Sequence, residues 1–510
     1  MTNLERITQL LLSNRLPEAE AAARDAIRSE ASAEMHNLLG NILNAQFRLN
    51  EAKTCYQEAL RLDPDFFKAW NNIGNILNHE GMVDDAIAHY RKALELNPHL
   101  PAVHSNLLLS MYYSASESLQ TIFSETQRWY RQQCDGIEPT KAEGVDLRPE
   151  KRLTVGYVSG DLWPHPVGYF LQAILENHDR QGFRVICYAT ANRPDNWLTQ
   201  ILQKHVEWRQ VEGWDDDALH AAIKKDGVDI LVDLSGHTAM NRLRVFARRA
   251  APVQVSWLGF HGTTGVPAMD YHLTDAWTVP AGEEKWYTEE VIRLEGSRFC
   301  YAPPRYAPKS ARARGEDNTV VFGSFNNLAK ITPMVASTWS RILKEVKGSK
   351  LLLKWHTLAS PEVREKIVTL FGSHDITPEQ LILRPGSSHA DMLREYGDID
   401  IALDPFPYSG GLTSCEALYS GVPVVTLSGD RPVGRQTAAF LHLLELEQLI
   451  ASDHDDYVDK AAALARNSEE RKTISSMLPF WASSSICDGR AFTLRLESTY
   501  RELWSRFCRK

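Results

Sequence analysis

The sequence predicts a helical repeat domain followed by two doubly wound α/β lobes of Rossmann type. Three observations carry this: a self-similarity at a 34-residue spacing near the start, two blocks of short β-branched runs alternating with helix-length stretches, and a basic, proline-containing segment at 303–317 between the blocks. A chain of 510 residues exceeds one ordinary core and suggests about three domains. With 43% hydrophobic residues, 24% charged residues and a net charge of -9, the composition is that of a soluble globular protein without a bias toward polyanions, so a nucleic-acid partner is not expected. No segment approaches a membrane span and MTNLERITQLLLSNRL lacks a cleavage-site pattern, so a cytoplasmic chain with no membrane partner is expected. The seven cysteines are scattered and include no Cys-x-x-Cys, which suggests neither a disulfide framework nor a zinc site.

The repeat comes first. Gly40 and Gly74, Ala52 and Ala86, Tyr56 and Tyr90, Ala59 and Ala93, and Pro64 and Pro98 are each 34 apart, which is the tetratricopeptide period and residue pattern. Small residues let paired helices approach, the tyrosine fills the gap between them, and the proline stops the second helix. A weaker copy over LPEAEAAARDAI precedes the clear ones and a partial one follows, giving a repeat domain at 1–115 and a helical connection and linker at 116–150. RLTVGYVSGDL, FRVICYAT, VDILVDLSG and VQVSWLGF then read as parallel strands of a first lobe at 151–302. After the linker, TVVFGSFNN, KLLLKWH, LILRPG, DIDIALDPF and PVVTL repeat the pattern in a second lobe at 318–480, and a helical segment at 481–510 ends the chain. Ligands of such sheets bind outside the carboxyl ends of the strands, so two lobes would place a cleft between two sets of strand ends.

Four stretches offer chemistry at those ends. In DPFPYSGGLTSCEALYSGVPVVTL, Gly410, Gly411, Thr413 and Ser414 fall where a strand gives way to a helix, and Glu416 lies one turn in. Unpaired N–H groups and a positive dipole suit a diphosphate there, and the carboxylate suits a sugar diol. The plainer alternative is a capped helix with a carboxylate in its first turn. In FGSFNNLAKITP, the turn containing Asn327 leads to Lys330, a point charge that could meet a leaving diphosphate or simply face water. SGDLWPHPVGYF supplies His165 after the first strand, a candidate acid or base or a structural loop histidine. DLSGHTAMNRL supplies Asp233, His237 and Thr238, with Asp226 and Asp229 just upstream; these are further proton acceptors or the entrance of a capped helix.

Taken together in this order with the repeats, SGDLWPHPVGYF, DLSGHTAMNRL, VQVSWLGFHGTTGVPAMDY, FGSFNNLAKITP and LDPFPYSGGLTSCEALYSGVPVVTL resemble the protein O-GlcNAc transferases and their Spindly-type relatives, especially bacterial members. The resemblance implies two lobes of the GT-B fold and an inverting, metal-independent glycosyltransferase that needs no cofactor. It implies transfer of N-acetylglucosamine from UDP-GlcNAc to serine or threonine hydroxyls of proteins or peptides bound through the repeats. It also implies roles: Lys330 on the leaving diphosphate, His165 near the acceptor and sugar, Glu416 on the ribose, Thr413 on the diphosphate and His389 against the base. His165, His237 and Asp226 remain as candidates for a general base. Gly411 and Leu412 stand where animal relatives have a His-Thr pair, so backbone N–H groups must carry more of the diphosphate. Similarity of FGSFNNLAKITP to plant Spindly proteins keeps GDP-fucose as an alternative donor, and a non-catalytic scaffold is the alternative outside enzymes. Asn72 and Asn106 occupy one repeat position and could pair with an acceptor backbone or with the repeats themselves.

Overall fold

The computed structural model describes residues 2–141, 144–193, 196–308 and 319–509. Most of the expected inter-lobe linker, from 309 to 317, lies outside the described residues.

Among the described residues the chain begins with four helix pairs: Asn3–Leu12 with Leu16–Ser29, Ala33–Ala45 with Leu49–Leu62, Phe67–His79 with Val83–Leu96, and Pro101–Tyr113 with Leu119–Gln133. The weak first copy and the partial last copy are therefore complete pairs. The array runs to Gln133, so the boundary expected at 115 falls inside the fourth pair. The spacing of small and aromatic residues explains the stacking. A methyl group on Gly40 or Gly74 would overlap the ring of Tyr56 or Tyr90 in the partner helix. Ala52, Ala59, Ala86 and Ala93 are fully buried where the helices cross.

The first lobe is a seven-stranded sheet of order β3-β2-β1-β4-β5-β6-β7. Its strands are β1 (Leu153–Ser159), β2 (Phe183–Ala189), β3 (Glu207–Gln210), β4 (Ile230–Asp233), β5 (Val253–Ser256), β6 (Tyr271–Asp275) and β7 (Glu290–Leu294). The second lobe has six strands in the order β10-β9-β8-β11-β12-β13. These are β8 (Val321–Ser324), β9 (Lys350–Lys354), β10 (Leu381–Arg384), β11 (Ile401–Leu403), β12 (Val424–Leu427) and β13 (Ile450–Ala451). Neighbouring strands pair in parallel throughout, with Val155 of β1 set between Val185 and Ile230, as a core buried on both faces requires. Four strands lack the apolar run that marks the others. β3 is the polar edge EWRQ, β13 has two residues, and β6 and β7 interleave His272, Thr274, Glu290 and Arg293 with apolar positions.

The end of the chain differs from the expectation in one respect. Trp481 lies inside the helix Ser468–Ser484, so no boundary falls there. The chain then crosses back, and the helix Gly489–Cys508 packs on the first lobe. Arg501 donates to Gly182 O at 2.7 Å, and Glu497 meets His178 Nδ1 at 2.8 Å. The crossing ties the lobes together by a second route beside the linker.

The repeats touch both lobes. Tyr112 packs edge-on against Phe260, and a methyl on Gly262 would overlap the Tyr112 hydroxyl, so glycine is required for that approach. On the second lobe, Arg431 donates to Ser114 O at 2.6 Å, Asn50 donates to Glu362 at 2.9 Å, and Lys366 pairs with Glu80. Removing residues 1–115 would expose these surfaces, so such a deletion does not separate a role for the repeats from the integrity of the lobes.

Candidate active site

The carboxyl ends of the two sheets face each other. His261, beyond β5, meets Tyr408, beyond β11, at 2.9 Å. Tyr169, beyond β1, packs against His389, beyond β10, with ring centroids 4.8 Å apart.

On the second lobe β8 ends at Ser324, and a turn leads to a short 3₁₀ segment, Leu328–Lys330. Asn327 caps this segment, its Oδ1 accepting the Ala329 N–H at 3.1 Å. That cap engages Oδ1 of Asn327, and the neighbouring Asn326 is the amide that joins the lysine. Asn326 Oδ1 accepts from Lys330 Nζ at 3.2 Å and from Thr413 Oγ1 at 3.1 Å, joining the lysine loop to the glycine-rich helix start. Lys330 Nζ also donates to Ser409 O at 2.8 Å and lies 4.6 Å from the centre of the Tyr408 ring. Burial pushes the ammonium down to about 8, with the Asp404 carboxylate pulling the other way.

Asp404 organises the loop that follows β11. Its carboxylate accepts the Gly410 N–H at 2.6 Å and the Thr426 hydroxyl at 2.7 Å. Gly411 precedes the helix Leu412–Tyr419 without a side-chain cap, and a Cβ on it would stand 3.2 Å from Gln436 Oε1. Of the two glycines, Gly411 leaves half-exposed backbone at a helix start beside Lys330 and Thr413, whereas Gly410 is buried with its N–H given to Asp404. Ser414 is turned inward, its hydroxyl 2.8 Å from that of Thr437.

One turn along, Glu416 is 1% exposed and meets His389 Nε2 at 2.7 Å. His389 Nδ1 lies 2.7 Å from the Tyr306 hydroxyl. With a carboxylate at Nε2, that nitrogen carries the proton and Nδ1 accepts from tyrosine. Burial pushes the Glu416 carboxyl up, and the hydrogen bond from His389 opposes this. The two residues assigned to ribose and base thus form one pair, a buried carboxylate and a half-buried imidazole, framed by Tyr169 and Tyr306.

On the first lobe His165 follows β1 and caps the helix Pro166–Asn177, with Nδ1 accepting the Val167 N–H at 3.3 Å. The Asp161 carboxylate lies 3.8 Å away, and a third of the side chain is exposed. Burial holds its imidazole below the ordinary histidine value, so it is neutral near pH 7, and with Nδ1 accepting from Val167 the ring proton sits on Nε2, which makes that nitrogen a donor.

Two expectations, for His237 and Asp226, are corrected, and Asn72 and Asn106 take the second of the two pairings offered for them. His237 is 1% exposed beneath Trp129 and Phe260; its Nε2 donates to Thr264 O at 3.0 Å and its Nδ1 meets Ser105 Oγ at 3.3 Å. Burial pushes it down to about 3, and it serves as a docking residue between repeats and lobe, closed to an acceptor. Asp226 ends the helix that precedes β4, at the amino end of the sheet and so away from the cleft. Its carboxylate holds Arg209 at 3.1 Å and the Tyr188 hydroxyl at 2.8 Å. Asn72 donates to Asn37 and Asn41 of the preceding pair at 2.9 and 3.0 Å, and Asn106 donates to Asn75 at 3.3 Å. Their amide donors therefore link repeat to repeat.

The model of the family described as Glycosyl transferase family 41 matches residues 96–301 and 307–496, and tetratricopeptide repeat models match 67–100 and 40–81. The chain is 36% identical over 410 residues to a protein of Petunia hybrida described as a probable UDP-N-acetylglucosamine–peptide N-acetylglucosaminyltransferase SPINDLY, covering 79% of this chain and 44% of that one. An Arabidopsis thaliana protein described likewise but named SEC is 29% identical over 409 residues, 75% of this chain and 41% of that one. The chain spans less than half the length of these curated relatives. A solved structure of a Thermobaculum terrenum O-GlcNAc transferase mutant superposes with a TM-score of 0.92 at 36% identity, covering 99% of this chain and 97% of that one. Its fold, its site and the family match over most of its length agree: the chain belongs to glycosyl transferase family 41.

Proposed function

We propose that the protein transfers N-acetylglucosamine from UDP-GlcNAc to serine or threonine hydroxyls of protein acceptors, with inversion at the anomeric carbon. The observation that carries this reading is the convergence of Lys330, Asn326 and Thr413 on an uncapped helix start, with the Glu416–His389 pair one turn further on. That spacing suits a diphosphate followed by a ribose. The names of the relatives and of the structural neighbour support the choice of sugar and of a peptide acceptor.

In this reading the acceptor hydroxyl attacks from the first-lobe side while Lys330 and the helix start stabilise the departing diphosphate. His165, at the carboxyl end of β1, carries its ring proton on Nε2 and can act there as a hydrogen-bond donor, so the proton of the acceptor hydroxyl leaves to water or to a donor phosphate oxygen. The reaction is proposed to need no metal, so activity should persist in chelator. The repeats guide the polypeptide to the cleft mouth, where Tyr112 and Tyr113 meet the lobes. The test is mass spectrometry of serine- and threonine-containing peptides incubated in chelator with UDP-GlcNAc or with GDP-fucose. Addition of N-acetylhexosamine is the expected result. Addition of deoxyhexose from GDP-fucose alone would replace the donor, and no transfer from either would leave a binding scaffold.

The Lys330 ammonium predicts a pH dependence. The terminal phosphate of UDP titrates at about 6, so its charge changes little above pH 7; the lysine must be protonated to bind it, so affinity is expected to hold near pH 7 and decline as pH rises through about 8. The decline approaches about tenfold per pH unit until the lysine of the complex, raised by the bound diphosphate, itself titrates. Titration of UDP across this range checks it; a flat profile would mean that the lysine does not face the diphosphate.

A further inference from the structure

Tyr408 stands where the repeats and both lobes meet. Its ring lies 4.6 Å from Lys330 Nζ, and the carbonyl of the next residue, Ser409, accepts from the same nitrogen at 2.8 Å. Tyr113, the last residue of the helix Pro101–Tyr113, packs on that ring with centroids 4.2 Å apart. The hydroxyl is 2.9 Å from His261 Nε2 in the first lobe. His261 Nδ1 lies 2.8 Å from a guanidinium nitrogen of Arg298, which only donates, so Nδ1 accepts and Nε2 gives its proton to Tyr408. Arg298 is itself fully buried and fixed by Leu258 O and Phe260 O, both at 3.1 Å. Each grip on the tyrosine comes from a part of the chain remote in sequence, and the residue held is the surface against which the lysine rests.

A lysine side chain has four soft torsions, and a point charge is useful to a leaving group only when it is already in place. Asn326, Ser409 O and the Tyr408 ring fix the ammonium from three sides. The first two belong to the second lobe alone, whereas the third depends on the repeats and the first lobe. We propose that Tyr408 is a positioning residue for Lys330, set by Tyr113 and His261, so that the lysine meets the donor diphosphate only when repeats and both lobes are docked. The inference rests on the reading of Lys330 as the diphosphate ligand.

The test is a cycle of UDP titrations on the full chain: wild type, Tyr408→Leu, Lys330→Ala and the double variant. Tyr408→Leu is expected to weaken UDP about tenfold, the loss of a partly desolvated cation–π contact. It should add nothing once Lys330 is alanine. Tyr408→Phe keeps the ring and should restore binding to within about threefold, while Tyr113→Leu should weaken it about threefold, again only when Lys330 is present. Equal weakening with and without Lys330 would overturn the proposal, because a merely structural ring acts independently of the lysine. Unchanged UDP affinity in Lys330→Ala would instead reject the diphosphate role of the lysine itself. If Tyr408→Leu lowers the melting temperature sharply, the Tyr113→Leu cycle decides by the same criterion.

Discussion

Replacing Lys330 by alanine is expected to lower sugar transfer about 10²- to 10³-fold, the loss that follows removal of one preorganised donor from a developing negative charge. The side chain is partly buried at the end of a capped turn, aligned by Asn326 and Ser409 O, and its charge is held against the cost of burial. Such a group gives little to the fold, since an ammonium drawn from water is costly unless a counter-charge meets it. The substitution should therefore leave thermal unfolding near wild type while single-turnover transfer collapses. The split between stability and turnover is the informative part. Near-normal transfer by Lys330→Ala would place the leaving-group contact elsewhere.

Gly410→Ala is expected to cost about 10²-fold in kcat/KM through misplacement of the diphosphate loop. An added methyl would overlap the Ser414 hydroxyl and stand 2.9 Å from Asp404 Oδ1, the oxygen that holds the Gly410 N–H. Either Ser414 gives up Thr437 or the loop moves off Asp404, and both shift the helix start beside Thr413. Like the lysine variant, this one should weaken UDP, and it should weaken UDP-GlcNAc to the same degree, because the backbone that approaches the phosphates moves before the sugar is reached. Steady-state kinetics with a fixed peptide, together with UDP inhibition, separates the two effects. Unchanged constants would show that this stretch of backbone does not approach the phosphates.

The repeats were legible because their physics is local: the Gly40–Tyr56 and Gly74–Tyr90 contacts leave a 34-residue trace in the chain. The lobes were legible where strands are buried on both faces, and β3 and β13 were not, since an exposed edge or a two-residue strand carries no apolar run. At the site, Lys330, Thr413, Glu416 and His389 fall together as their positions beyond strand ends suggest. Asp226 failed because a residue just before a strand lies at the wrong end of the sheet. His237 failed differently: it follows β4 correctly but is covered by Trp129, which lies more than a hundred residues earlier. Asn326 was passed over for its neighbour because the doublet alone does not say which amide caps the turn. Tyr408 and His261 come together across 147 residues, a pairing that no local spacing reveals.

The account turns on a nucleoside diphosphate bound against Lys330. Isothermal titration of the full chain with UDP and with GDP in chelator, on wild type and on Lys330→Ala, tests this most directly. The account predicts that UDP binds more tightly than GDP and that the alanine variant weakens UDP at least tenfold. Preference for GDP would contradict the proposed donor, and UDP binding indifferent to Lys330, or absent altogether, would contradict the proposed site.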